Sequence, residues 1–147
     1  MKMNFTGGYG ADVEVDDNII KKIEDEGDFE EWIDEETGYT CRINRLQWMG
    51  SLCGYVLLPE NHPCIGTSYD DIDVHVHGGL TFKGSFKSKG YNMPLHDGIW
   101  VGFDCNHTWD YSPRLGKFSN EGTYRDWQYV KNEVTGLCKQ LKDMEGC

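Results

Sequence analysis

Apolar and polar positions change rhythm three times along the chain. From Asp17, "DNIIKKIEDEGDFEEWI" sets Ile19, Ile20 and Ile23 on one helical face among acids, with Trp32 and Ile33 further on. That spacing predicts a short amphipathic helix, interrupted near Gly27. After "ETG" the period shortens. "YTCRINRLQW" and "LCGYVLLP" are β-rich runs separated by "MGS", which predicts a hairpin. "IDVHVHGGLTF" alternates, with Val74 and Val76 on one face and His75 and His77 on the other. "KGSFKSKGYNMPLHDG" reads as a long loop, "IWVGFD" as a buried strand and "CNHTWDYSPRLGKFSNEG" as a second long irregular segment. Two loops of that length in one small domain point to function.

The last stretch is the clearest helix. In "TYRDWQYVKNEVTGLCKQL", Trp127, Val130, Val134, Leu137 and Leu141 recur at spacings of three and four, with Thr123 as cap and Asp126 in the third position of a capping box. The pattern predicts an α+β fold: a mostly antiparallel sheet, the C-terminal amphipathic helix packed on one face, and a short acidic helix near the start. Residues 1–147 form one domain on this reading, with an acidic N-terminal segment, 1–40, and a sheet-and-helix body, 41–147.

Composition narrows the class. At 13% aromatic residues the chain is too rich in large apolar side chains for a disordered protein. No run approaches the roughly eighteen apolar residues of a membrane span, and "MKMNFTGGYGADVEV" lacks a signal peptide's apolar centre, so a cytoplasmic protein is expected. Six cysteines without a CxxC or regular spacing read as buried structural thiols.

Charge is unevenly distributed. Residues 1–40 carry thirteen acids and three lysines, whereas the remainder carries twelve acids and eleven bases. An acidic block of this kind repels nucleic acid. It reads as a solvated helix face or as a docking surface for a basic partner.

Candidate chemistry lies in two stretches. His75 and His77, two apart in "HVHGG", point the same way if that segment is a strand, within reach of a shared metal, and the glycines admit close approach to the backbone. In "WVGFDCNHTWD", Asp104 emerges at a strand's C-terminal end with His107 and Asp110 following at three-residue intervals. A carboxylate bonded to an imidazole fixes its tautomer, for a base or for a metal ligand. The plainer alternative is an Asx turn at Asp104 or Asn106. If the two stretches are neighbours, His75, His77, Asp104, His107 and Asp110 offer a mixed nitrogen and oxygen shell for a divalent metal such as zinc, manganese, nickel or iron.

Lys83, Lys87 and Lys89 sit in a Gly/Ser-rich loop without acids and could close over an anion, and Arg125 could add a bidentate contact. Trp100 and Trp109 are candidates to stack on a base. His96-Asp97, flanked by Pro94 and Gly98, reads as a turn. Cys105 beside Asp104 is a poor nucleophile, because a neighbouring carboxylate disfavours the thiolate.

Through "VHGGLTF", "WVGFDCNHTWD" and "YRDWQYVKNEV" the chain, from about Val76 to Leu141, resembles a family of small uncharacterised phage and bacterial proteins. The resemblance implies a phage context, hence counter-defence, and supplies no activity and no catalytic residues.

The leading expectation is a metal-assisted hydrolase or lyase acting on a small, nucleotide-like anion, with Asp104 and His107 in catalytic roles. One alternative is a non-catalytic protein that sequesters a nucleotide signal. The other is an acidic interaction protein, an inhibitor or nucleic-acid mimic. A small anionic ligand is the expected partner, with no nucleic-acid polymer and no membrane; a homo-oligomer is compatible with the composition.

Overall fold

The computed structural model describes residues 3–6, 12–15, 17–46, 50–86, 98–107, 110, 112–113 and 122–146. Strands β1 (Met3–Thr6) and β2 (Asp12–Val15) pair as an antiparallel hairpin that the sequence pattern did not reveal. Helix α1 (Asp17–Glu26) follows and stops at Gly27, where φ is 80° and the Gly27 N–H closes the last turn on Ile23.

The main sheet runs in the order β3-β4-β5-β7-β6 and is antiparallel throughout. Its strands are β3 (Phe29–Ile33), β4 (Thr40–Arg45), β5 (Leu52–Leu57), β6 (Phe82–Gly84) and β7 (Trp100–Asp104). The β4–β5 hairpin and the buried β7 fall where the alternation placed them. "DFEEWI", read with the acidic helix, is instead the edge strand β3. Past Gly27 its residues alternate between faces, and Trp32 turns toward the core.

"IDVHVHGGLTF" is the other departure. Only Phe82–Gly84 pairs with β7. Residues 72–79 are held without a strand partner: the Gln140 side chain accepts from the His75 N–H at 2.7 Å and donates to its carbonyl at 2.8 Å. Gly78 and Gly79, with φ of 67° and 80°, then turn the chain. His75 is therefore exposed and His77 buried, and the two do not share a face.

Helix α2 (Trp127–Met144) lies across the sheet. Val130, Val134, Leu137 and Leu141 are fully buried against Cys41, Ile43, Leu52, Val56, Val101 and Phe103; each such side chain contributes about 1.5–3 kcal/mol of burial. The cap is Asp126, whose Oδ1 accepts the Tyr129 N–H at 2.9 Å, while Thr123 bridges to Asp110 instead. Glu26 of α1 accepts the Trp127 N–H, satisfying a further open donor of that end. Replacing Asp126 with alanine is expected to cost about 1 kcal/mol in denaturant unfolding.

The opposite face of the sheet buries Cys53, Tyr55, Phe86 and Trp100. All five described cysteines are buried thiols. No helix of the described residues is long and apolar enough to cross a membrane.

Candidate metal centre

Antiparallel pairing of β6 with β7 brings the residues before β6 beside those after β7. There the turn at 76–79 supplies His77, and the turn after β7, closed by the Asp110 N–H on the His107 carbonyl, supplies His107 and Asp110. Arg125, just before the Asp126 cap, and Tyr129, in the first turn of α2, complete the group.

Asp110 is its centre. Its side chain is fully buried and satisfied on both oxygens. Oδ2 accepts from His77 Nε2 at 2.9 Å, His107 Nδ1 at 3.0 Å and the His107 N–H at 3.1 Å, and Oδ1 accepts from Arg125 Nε at 3.0 Å. Burial pushes the carboxyl upward in pKa, but the bonds from His77, His107 and Arg125 outweigh it and hold Asp110 below the usual carboxylate range.

These partners also assign the rings. A neutral His77 donates through Nε2, so its Nδ1 accepts the Tyr129 hydroxyl at 2.7 Å. His107 carries its proton on Nδ1, which leaves the basic lone pair on Nε2. The imidazole of His107 lies over Gly78: a Cβ there would sit 2.3 Å from Cε1 and 2.5 Å from Nε2. The close approach that the glycines permit is thus to a side chain of the same site. Arg125 stacks its guanidinium 4.9 Å from the centre of the Tyr129 ring.

His77, His107 and Asp110 could hold a metal ion: one ligand atom from each lies within 4.8 Å of the others. Two imidazoles and a carboxylate suit zinc, iron, manganese or nickel. The surroundings fit such an ion as well. Tyr129 can accept from Nδ1–H of a His77 that coordinates through Nε2, and Arg125 holds the second carboxylate oxygen, the kind of outer support that orients metal ligands.

The other candidates fall outside this triad. His75 is exposed and anchored by its backbone to Gln140. Asp104 lies on the sheet face away from α2. Its Oδ1 accepts the Asn106 N–H at 3.0 Å in an Asx turn and its Oδ2 accepts the Thr81 hydroxyl at 2.9 Å, leaving it 3.8 Å from His107 Nδ1. Lys83, in β6 rather than a loop, donates to the Ile65 carbonyl at 2.6 Å. Trp100 is fully buried under Phe86 and has no face for a ligand. Lys87, Lys89, Trp109 and the His96-Asp97 pair lie outside the described residues. Cys105 is buried, and burial with Asp110 and Asp104 nearby pushes its thiol far up.

Sequence reasoning missed Tyr129. It sits off the apolar stripe in the first turn of α2, and Arg125 precedes the Asp126 cap, so helical spacing gave no signal that pairs the two. Comparison with protein-family models, with curated proteins and with solved structures gave no match.

Proposed function

We propose that the chain is a divalent-metal hydrolase for a small anionic substrate, with His77 Nε2, His107 Nδ1 and Asp110 Oδ2 as the ligands. One observation carries this reading: three ligand atoms from two separate turns, one of them an oxygen of the buried Asp110, lie within 4.8 Å of one another, with Tyr129 and Arg125 behind them. When bound, the metal supplies Lewis acidity and a water that deprotonates near neutral pH.

The chain's own residues have distinct tasks. Asp110 orients both imidazoles through their N–H groups; as ligands, His77 Nε2 and His107 Nδ1 would give up those protons, and His107 would then carry its proton on Nε2. Tyr129 fixes the ring of His77. Arg125 reaches Asp110 through Nε, and among the described residues its two Nη groups have no hydrogen-bond partner, so they are the donors for an anionic group at the rim. His107, 19% exposed in its side chain, is the ligand nearest to solvent.

A second reading rests on the direct bond at 3.0 Å from His107 Nδ1 to Asp110. Without a metal that pair is a carboxylate-oriented imidazole, with Nε2 as general base. A phosphoester screen with and without added zinc or manganese separates the two. The metal reading expects turnover that a chelator abolishes and the metal restores, with Arg125→Ala raising KM more than it lowers kcat. Chelator-resistant turnover that His107→Ala abolishes would move the assignment to the metal-free base. Tyr129→Phe is expected to weaken metal binding about tenfold, as loss of an outer partner does, with little change in melting temperature.

A further inference from the structure

The fold distributes the nine acids between Glu24 and Glu36 along α1 and the open edge of β3. The Arg45 N–H donates to the Asp28 carbonyl and the Asp34 N–H to the Tyr39 carbonyl. In an antiparallel ladder this commits the even-numbered residues of β3 to β4 and turns the N–H and C=O groups of Phe29, Glu31 and Ile33 outward. Among the described residues no strand pairs with that edge.

The side chains of the same three residues lie on the sheet face away from α2. Glu31 is buried and faces Arg42 at 3.7 Å, which neutralises the middle of the strand. Phe29 and Ile33 are 51% and 59% exposed. Carboxylates stand at both ends: at one Asp28, its side chain 80% exposed and bonded through Oδ1 to Arg45, and at the other Asp34, Glu35 and Glu36, the last 3.5 Å from Lys139. Solvent-facing edges are ordinarily defended by lysine, proline, a bulge or brevity. This one presents two large apolar side chains between acidic flanks.

We propose that the β3 edge docks an extended basic segment of a partner protein, which joins the sheet as a further strand beside β3. Its apolar residues pack on Phe29 and Ile33, its lysines or arginines meet the flanking carboxylates, and its backbone bonds to Phe29, Glu31 and Ile33. Charge selects this occupant over a second copy of the chain. Pairing β3 with itself about Glu31 would bring both acidic flanks together, and like charges across an interface are costly. The surface is independent of the His77–His107–Asp110 centre.

The test uses the full chain and a synthetic capped heptapeptide alternating lysine and valine, with a glutamate-valine peptide as control. The proposal expects the lysine peptide alone to bind, more weakly at high salt, and to slow amide exchange of Phe29, Glu31 and Ile33 about tenfold or more. Ile33→Pro removes one outward N–H while sparing the bonds to β4, and should weaken binding about tenfold, as an edge proline can do without breaking a strand. Zinc binding by that variant should be unchanged. Three results overturn the proposal: no binding of the lysine peptide at millimolar concentration, binding without protection of those amides, or peptide-free dimerisation that protects them.

Discussion

Replacing Asp110 with alanine is expected to lower stability by about 3–5 kcal/mol, because it leaves Arg125, His77 and the His107 amide beside a buried site without their common acceptor. A domain of this size is stable by only about 5–15 kcal/mol, so the variant should unfold at much lower denaturant. Asp110→Asn keeps the volume and one acceptor oxygen, and should fold while losing metal affinity. That pair of variants separates the structural task of the carboxylate from its task as ligand. The pH dependence has a definite sign. The folded carboxyl titrates below its unfolded value of about 3.9, so its contribution is complete above that pH and is lost as pH falls through the folded value. Asp110→Ala should lack this acid-side loss. Equal acid sensitivity in both proteins would show that other carboxylates dominate it.

Replacing Gly54 with alanine is expected to cost about 1–3 kcal/mol, and valine more, although the position is a strand centre where side chains are normally welcome. The cause is the seat of α2. A Cβ on Gly54 would stand 2.6 Å from Val134 Cγ2 and 2.7 Å from Phe103 Cε1 and Cζ, well inside contact distance. Gly54 lies in β5 on the face that α2 covers, so helix and Phe103 ring must both give way before even a methyl fits. The measurement is the denaturation midpoint at constant slope. A midpoint equal to the parent's would mean that α2 rides farther from β5 than this packing requires.

Legibility in the sequence follows where each element finds its partners. Helix α2, the β4–β5 hairpin and β7 could be read because their own spacing decides which face is buried. The stretch around His75 could not. Its backbone is satisfied by Gln140, sixty-five positions away, so alternation there had no neighbouring strand to answer it. β3 was hidden for a different reason: its acids continue those of α1, and only Gly27 marks the change of period. The candidate site was half legible. Three residues at three-residue spacing drew attention to the turn after β7, and adjacency to the "HVHGG" segment followed from sequential pairing. Which of five residues converge was not. Asp104 is held by Thr81 and the Asn106 N–H while Asp110, six residues on, is buried among His77, His107 and Arg125, and His75 is exposed where Gln140 holds its backbone. Arg125 was read as an anion contact and not as the support of a carboxylate, and Tyr129 went unread because helix periodicity there drew attention to the apolar stripe.

The central claim is that His77, His107 and Asp110 bind one metal ion. Titration calorimetry with zinc and manganese on the chelator-treated, untagged protein, repeated on His77→Ala and His107→Ala, tests it most directly. The account predicts one equivalent bound by the parent and none, or binding weaker by about a hundredfold or more, in each variant, since three protein ligands define such a site. No binding by the parent, or binding that survives both substitutions, would contradict it and leave Asp110 as the anchor of a metal-free histidine pair.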